Sequence, residues 1–477
     1  MQTDASTRKD SANTSPESLA ITNSSLDIAI IGGGIAGLAT ALSISKRQPS
    51  THRITIYESH PLSEVGAGIQ LFSNATRILQ QLGLEDAFRE VVNQPNIMEI
   101  RRYEDDEVIG ALPQNPQNEW EYGSPHWQVY RPDFQRLLAE ACYREGPSKI
   151  RFVFNARVKS LSLETSTIHF SDDSSVSADL IIAAGGLRGK SRNAIPENRD
   201  VLAEAFPEFC FRAAIPKSSM LQHPETAELM KPGGLNMIWC GPGACVLGYP
   251  MAAGELYNVV LSVPRPPDAE AVGNWSQKGD PAEGAAILEP FCERVRRLWS
   301  LVDNCNKWQL GRLPPLPTFT SQQGNLVIIG DAAHAILPHS GQGGAMALED
   351  AVSLSTVLAS ATSKKDLPAA MQIFNTLRQD RLSFIRRYAA ANQQFLTMPD
   401  GPEQLKRDAM WKGMTEAWRK EFQELGEEGV RRKKQALKEN VVPDSESEDL
   451  RSPETRMCVF GYDAVEEARK ALAQAGV

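Results

Sequence analysis

The stretch Leu26-Asp27-Ile28-Ala29-Ile30-Ile31, Gly32-Gly33-Gly34-Ile35-Ala36-Gly37 and the Ala- and Leu-rich run to Lys46 constrains this chain more than any other feature. Six residues with three β-branched isoleucines are too few for a stable helix and predict a strand buried on both faces. The G-x-G-x-x-G spacing then places glycine where a strand turns into a helix. Gly32 permits the tight turn, Gly34 lets the backbone approach a pyrophosphate, and Gly37 lets helix and strand pack closely. The helix N-terminus adds free N–H groups and partial positive charge. Ile54-Thr55-Ile56-Tyr57 predicts the next strand and ends at Glu58, 21 residues after Gly37. A carboxylate there can accept hydrogen bonds from both ribose hydroxyls and would repel a 2′-phosphate. The unit reads as βαβ with a bound dinucleotide; the plainer alternative is an ordinary α/β unit with a glycine-rich turn.

Two further apolar runs end in glycine. Leu180-Ile181-Ile182-Ala183-Ala184 leads to Gly185-Gly186, and Leu326-Val327-Ile328-Ile329 leads to Gly330-Asp331. Both read as central parallel strands that stop at a ligand crevice. Their wide separation predicts an α/β fold in which a Rossmann-like domain with a parallel sheet is interrupted by a second domain with a mainly antiparallel sheet, followed by C-terminal helices. The expected boundaries are 26–85, 125–196 and 316–360 for the first domain, 86–124 and 197–315 for the second, and 361–477 for the helical region. Residues 1–25, rich in Ser, Thr and Asp and without an apolar core, read as a disordered tail rather than a signal peptide. Pro264 to Glu283 reads as a surface loop, and Arg432 to Ser452 as a charged, solvated or partly disordered segment.

With 50 basic and 59 acidic side chains the formal charge is −9. No basic excess exists to neutralise a phosphate backbone, so nucleic acid is not an expected partner. Seven cysteines without a C-x-x-C pair suggest neither a disulfide framework nor a metal site, and point to a reducing, cytoplasmic setting. No run approaches the ~18 apolar residues of a spanning helix, so no membrane anchor is expected.

Gly330-Asp331-Ala332-Ala333-His334, followed by Pro338-His339-Ser340-Gly341-Gln342-Gly343-Gly344-Ala345 and Leu348-Glu349-Asp350-Ala351, resembles single-component flavoprotein monooxygenases of the para-hydroxybenzoate hydroxylase fold, in particular their salicylate-hydroxylase-like fungal branch. Gly66-Ala67-Gly68-Ile69-Gln70, Tyr130-Arg131-Pro132-Asp133 and the late Val459-Phe460-Gly461-Tyr462-Asp463 also match. The resemblance implies bound FAD, with Asp331 on the ribityl chain, Arg131 and the Gly68 segment as further contacts, and the Pro338 turn with the Gly341, Gly343, Gly344 and Ala345 backbone at the pyrimidine edge. Glycine there lets a backbone approach a flat ring, and the following helix would stabilise the reduced anion. Arg131 read alone is a surface arginine capping a helix, and the glycine turn alone a helix with a glycine-rich entry.

The resemblance further implies a monooxygenase that uses transient NADPH or NADH and O₂, through a flavin C4a-hydroperoxide, to hydroxylate, dearomatise or epoxidise an aromatic, phenolic or polyketide-like molecule, plausibly in secondary metabolism. A monomer or homodimer is expected. The alternatives are a flavin oxidase or dehydrogenase on the same scaffold, or a non-catalytic flavoprotein.

In the second domain, Arg212 and Tyr249 match residues that hold a phenolate in some relatives; an internal ion pair for Arg212 and core packing for Tyr249 are the alternatives. His339 is a proton relay, a hydrogen-bonding wall or a satisfied core histidine, and His334 is structural. Cys245 stands where relatives often carry a histidine. Gly185 and Gly189 depart from the family Asp and Ser, which leaves Arg192 with Arg188 as the expected attraction for nucleotide phosphates. Phe211, Trp239 and Tyr257 read as pocket lining or strand core. Trp411 and Trp418 read as surface or packing residues.

Overall fold

The three apolar runs that end in glycine lie side by side. In a computed structural model, which describes residues 25–47, 52–62, 66–231, 233–265, 276–440 and 452–476, they are the strands Leu326–Ile328, Leu180–Ala183 and Asp27–Ile31. Arg53–Tyr57 and Ile150–Val153 follow them in one five-stranded parallel sheet. Ile30 pairs with Ile182 and Ile182 with Val327. The strands therefore end level, and Gly32, Gly185 and Gly330 share one sheet edge. Near-complete burial of all three strands explains their unbroken apolar character.

A second sheet of eight strands is assembled from two distant stretches. Its order is Ser276–Gly279, Cys305–Arg312, Glu204–Pro216, Leu256–Pro264, Cys245–Met251, Leu235–Cys240, Ile97–Arg102 and Val108–Pro113. All neighbours are antiparallel except Leu235–Cys240 with Ile97–Arg102. Side chains alternate between its faces. Phe211, Trp239 and Tyr257 sit on the face packed against the helix Glu293–Ser300, within an apolar core. Of their two sequence readings, core is the one observed.

Among the described residues four α-helices follow the Gly343–Leu358 helix: Leu367–Leu396, Pro402–Asn440, broken at Gly426, Pro453–Phe460 and Ala464–Ala475. The second lies on the outer strand of the large sheet, where the Ala111 N–H donates to Thr415 Oγ1 at 2.9 Å. Among the described residues no helix is long and apolar enough to cross a membrane.

One segment differs from its sequence reading, and a second is only partly described. Within Pro264 to Glu283, residues 266–275 lie outside the described residues, but Ser276–Gly279 is an edge strand and Pro281 opens a helix capped by Asp280, which accepts from the Ala282 N–H at 2.9 Å. Asp followed by Pro is a helix-start signal that the local composition hid. Residues 432–440 continue a helix, whereas 441–451, like the tail 1–24, lie outside the described residues.

A fully buried ionic cluster joins these parts. Arg378 donates to Asp350 at 2.8 Å and to Glu349 at 2.9 Å, and Arg381 donates to Glu349 at 3.0 Å. Burial works against both carboxylates. Arg381 and Arg378 nevertheless hold Glu349 below the usual carboxylate range, and His334 with Arg378 does the same for Asp350. Arg378→Ala removes a cationic partner from both buried carboxylates, leaving Glu349 only Arg381 and Asp350 only His334, and should cost about 3–5 kcal/mol in urea unfolding. Because the native carboxyl pKa values are depressed, the native cluster's stabilisation is present above about pH 4 and is lost as the pH falls through the native values. An acid titration of stability checks this direction.

Candidate active site

The first glycine turn is sterically forced. Gly32 has φ +108°, and a Cβ there would lie 2.6 Å from the Ala184 carbonyl oxygen. A Cβ on Gly37 would lie 2.0 Å from the Gly32 carbonyl oxygen, whereas one on Gly34 would meet open space. The Glu58 carboxylate is held in place beside this turn. Its Oε2 accepts from the Gly33 N–H at 2.7 Å, and its Oε1 accepts from the His60 N–H at 3.1 Å.

From here a groove lined by Gly32, Gly34, Glu58, Arg131, Ala184 and Gly186 runs inward. It meets a second cavity at Gly34, Arg131, Ala184 and Gly186. Asp331 and Arg131 stand near this junction. Asp331 follows Gly330, whose N–H donates to Asp350 at 2.8 Å. Protein surrounds the Asp331 carboxylate, yet its surface opens to the cavity. Burial raises its pKa, His334 and Arg131 oppose the rise, and Asp350 reinforces it. Burial lowers the Arg131 pKa, with Asp331 opposing and Arg212 adding to the effect.

The inner cavity, of ≈530 Å³, is bounded on one side by Pro338, His339, Ser340, Gly341, Gly343 and Gly344. The three glycines are not equivalent. Gly341 has φ +64°, Gly343 faces open space, and Gly344 makes only ordinary contacts from 3.6 Å. Ala345 is buried in the first turn of the following helix. Two buried polar atoms without partners belong to residues that line it, Ser73 Oγ and Ser340 Oγ. A long passage with glycine backbone at both ends, a carboxylate at its outer mouth and unsatisfied donors inside fits FAD. A metal has no comparable place among the described residues.

Opposite this turn lies the free face of the large sheet, with Arg212, Val260, Ser262, Cys245, Leu247 and Tyr249. Arg212 is not engaged in an internal ion pair with a described carboxylate. Its Nε is buried without a partner, and the titratable groups acting on its charge are Cys210 and Tyr249. Tyr249 is buried but lines the cavity, with its hydroxyl 2.6 Å from where a Gly68 Cβ would stand. Gly68 thus admits the tyrosine, and its N–H donates to Asn258 Oδ1 at 3.0 Å. Burial raises the Tyr249 pKa more than Arg212 lowers it, which keeps the hydroxyl protonated. Burial likewise pushes the Cys245 thiol well above its ordinary value.

His339 Nε2 lies 2.9 Å from Glu208 Oε2 on the sheet, and the Gln393 amide donates to the other Glu208 oxygen. His334 is tied to Asp350 at 2.5 Å. Arg188 lines the outer groove, but Arg192 does not reach out to it. The Arg192 guanidinium turns inward and donates to the carbonyls of Leu187 at 2.9 Å and Gly189 at 2.7 Å. Arg192, expected with Arg188 to attract nucleotide phosphates, instead clamps its own loop, so only Arg188 of the two lines the groove.

The far wall of the cavity comes from the C-terminal helices, through Asn392, Phe395 and Leu396 and then Trp411, Met414 and Trp418. Sequence reasoning left these two tryptophans as surface or packing residues. The signal was present in the i, i+3, i+7 apolar stripe of residues 411, 414 and 418, which marks one helix face without saying what it covers.

The FAD binding domain family matches residues 25–235 and 315–389. An FAD-dependent monooxygenase of Beauveria bassiana is 28% identical over 80% of this chain and 88% of its own length. 3-Hydroxybenzoate 6-hydroxylase 1 of Aquipseudomonas alcaligenes is 27% identical over 82% of this chain and 94% of its own. In fold, the chain is similar to a salicylate hydroxylase solved with substrate, with TM-score 0.70, 24% identity, and coverage of 94% of this chain and 98% of that one.

Gly37→Ala forces the first turn apart. It should weaken FAD binding by about 1–3 kcal/mol, roughly 5- to 150-fold, in a flavin fluorescence titration. An unchanged affinity would remove this turn from the binding site.

Proposed function

The chain belongs to the FAD binding domain family, and on that premise we propose that it is a cytoplasmic NAD(P)H-dependent monooxygenase that places one oxygen atom of O₂ into an electron-rich aromatic or phenolic small molecule, in secondary metabolism. The observation that carries this reading is the single cavity in which the Pro338–Gly344 turn faces Arg212 and Tyr249. The names of the two monooxygenases reported above support the reaction class.

In this reading Glu58 takes the ribose, and the Gly32–Gly34 turn with the N-terminus of the Ile35–Arg47 helix takes the pyrophosphate. Arg131 and Asp331 hold the linking chain. The Pro338–Ala345 backbone and Gly68 frame the ring. Bound there, FAD supplies electron transfer from NAD(P)H and the activation of O₂. Arg188 on the outer groove attracts the phosphates of the visiting nicotinamide cofactor.

The chain's own residues prepare the substrate. The Arg212 guanidinium favours an ionised phenol by Coulomb attraction, strengthened because the cavity is walled from water. The protonated Tyr249 hydroxyl donates a hydrogen bond to the same oxygen, which fixes the ring's orientation. Of the three readings of His339, the hydrogen-bonding wall has the support of its contact with Glu208, which ties the ring-facing turn to the substrate sheet. Cys245, kept protonated by burial, is not a base. The apolar walls exclude water from the reacting atoms.

Turnover with a phenolic substrate under ¹⁸O₂ should place one labelled atom in the product. Unlabelled product would make the protein an oxidase or dehydrogenase instead. Arg212→Met should lower kcat/KM for that substrate by roughly 10- to 100-fold, the scale of a lost hydrogen bond to a charged group.

A further inference from the structure

The cavity does not end at Arg212 and Tyr249. The sheet register carries its floor outward in two rows. Arg212 is level with Val260, Leu247, Ile238 and Ile100. In the adjacent row Met98 is level with Leu112. With neighbouring strands about 4.8 Å apart, the first row spans about 19 Å from its arginine to Ile100. A phenol with one ring, held at Arg212, covers only the inner part of that distance.

The outer part is roofed and mainly apolar. Its floor is Ile238, Met98, Ile100 and Leu112, and its roof is Phe395 and Leu396 with Trp411, Met414 and Trp418. The roof is fixed rather than loosely laid. A Cβ on Gly110 would stand 3.3 Å from Trp411 Cβ, so the strand is narrowed where the indole rests. Thr415 binds the Ala111 N–H. The Arg456 guanidinium lies 4.4 Å from the Trp418 ring centre and is itself held by the Tyr122 hydroxyl at 3.0 Å. No carboxylate lines this part of the cavity; its one lining cation, Arg456, is turned onto the Trp418 ring, the amides of Gln114 and Asn118 also line the cavity, and Arg212, Arg131 and Asp331 stand at the opposite end.

We propose that the compartment beneath the Pro402–Asn440 helix receives a long apolar arm of the substrate, so that the substrate class is an extended lipophilic phenol, bearing an alkyl chain, a polyene or a second aryl group, rather than a monocyclic phenol. The proposal rests on Arg212 and Tyr249 as the phenol anchor. It adds the direction in which the molecule extends and the residues that select its length. Apolar area taken from water drives the selection, with aromatic and Met side chains accommodating a flat or flexible arm.

The test uses the full-length FAD-loaded protein with phenol and 4-hexylphenol. Binding is read from the perturbation of the flavin visible spectrum and, independently, from quenching of tryptophan fluorescence. The hexyl compound should bind roughly 100-fold more tightly, because several methylenes leave water. In Met414→Gln, which places a polar group in the roof, that ratio should fall about fivefold or more. Equal affinity for the two phenols in the native protein overturns the proposal and leaves the phenol-binding reading intact. An unchanged ratio in Met414→Gln also overturns it, since the preference then arises elsewhere. If neither phenol binds, the anchor at Arg212 and Tyr249 fails, and the proposal fails with it.

Discussion

The buried cluster of Glu349, Asp350, Arg378 and Arg381 is the interaction on which the arrangement of the site depends. Asp350 accepts from the Gly330 N–H and from His334, which sets the turn that presents Asp331 to the cavity. Glu349 accepts from Asn74 at 2.8 Å, and Asn74 also donates to the Gln342 side chain beside the ring-facing glycines. Arg381 reaches the carbonyls of Cys458 and Val459, next to Phe460 on the cavity wall. One charged core thus links the Gly330–Asp331 and Pro338–Gly344 turns, the long C-terminal helix and the last matching segment of the chain. Such clusters add little net stability, yet removing one partner is costly, so they specify position more than they stabilise.

Much of the dinucleotide half was legible because its determinants are local. A six-residue run with five apolar side chains, three glycines at fixed spacing and Glu58 after the next strand describe one compact unit whose geometry follows from backbone sterics. The other two strand–glycine junctions were legible one by one, and their adjacency followed from the rule that crevices form at strand carboxyl ends. The substrate half was legible only as residue types. Arg212 and Tyr249 face the cavity, while Phe211, next to Arg212, must point the other way because strand side chains alternate. That parity alone assigns Phe211 to the core once Arg212 is assigned to the cavity.

What was not legible depends on distant contacts or on side-chain direction. Arg192 was expected to point outward, but two carbonyls of its own loop turn it inward, and nothing in the spacing of Gly189, Lys190 and Ser191 encodes that. Trp411 and Trp418 lie some 300 residues from Gly110 and Ile100, which they cover, and the pattern of a helix face does not name its partner. The edge strand after residue 275 and the helix at Pro281 were hidden by a composition that otherwise signals a loop. The result is a division of labour. A locally encoded frame builds the dinucleotide turn, and the inner cavity is completed by a helix from late in the sequence.

The account stands on FAD lying along the passage from Glu58 to the Pro338–Gly344 turn. The most direct measurement is the visible spectrum of the purified full-length chain after incubation with FAD and removal of the unbound flavin. Flavin absorbance that travels with the protein in equimolar amount is the predicted result. A chain that stays colourless after the same treatment would contradict the account.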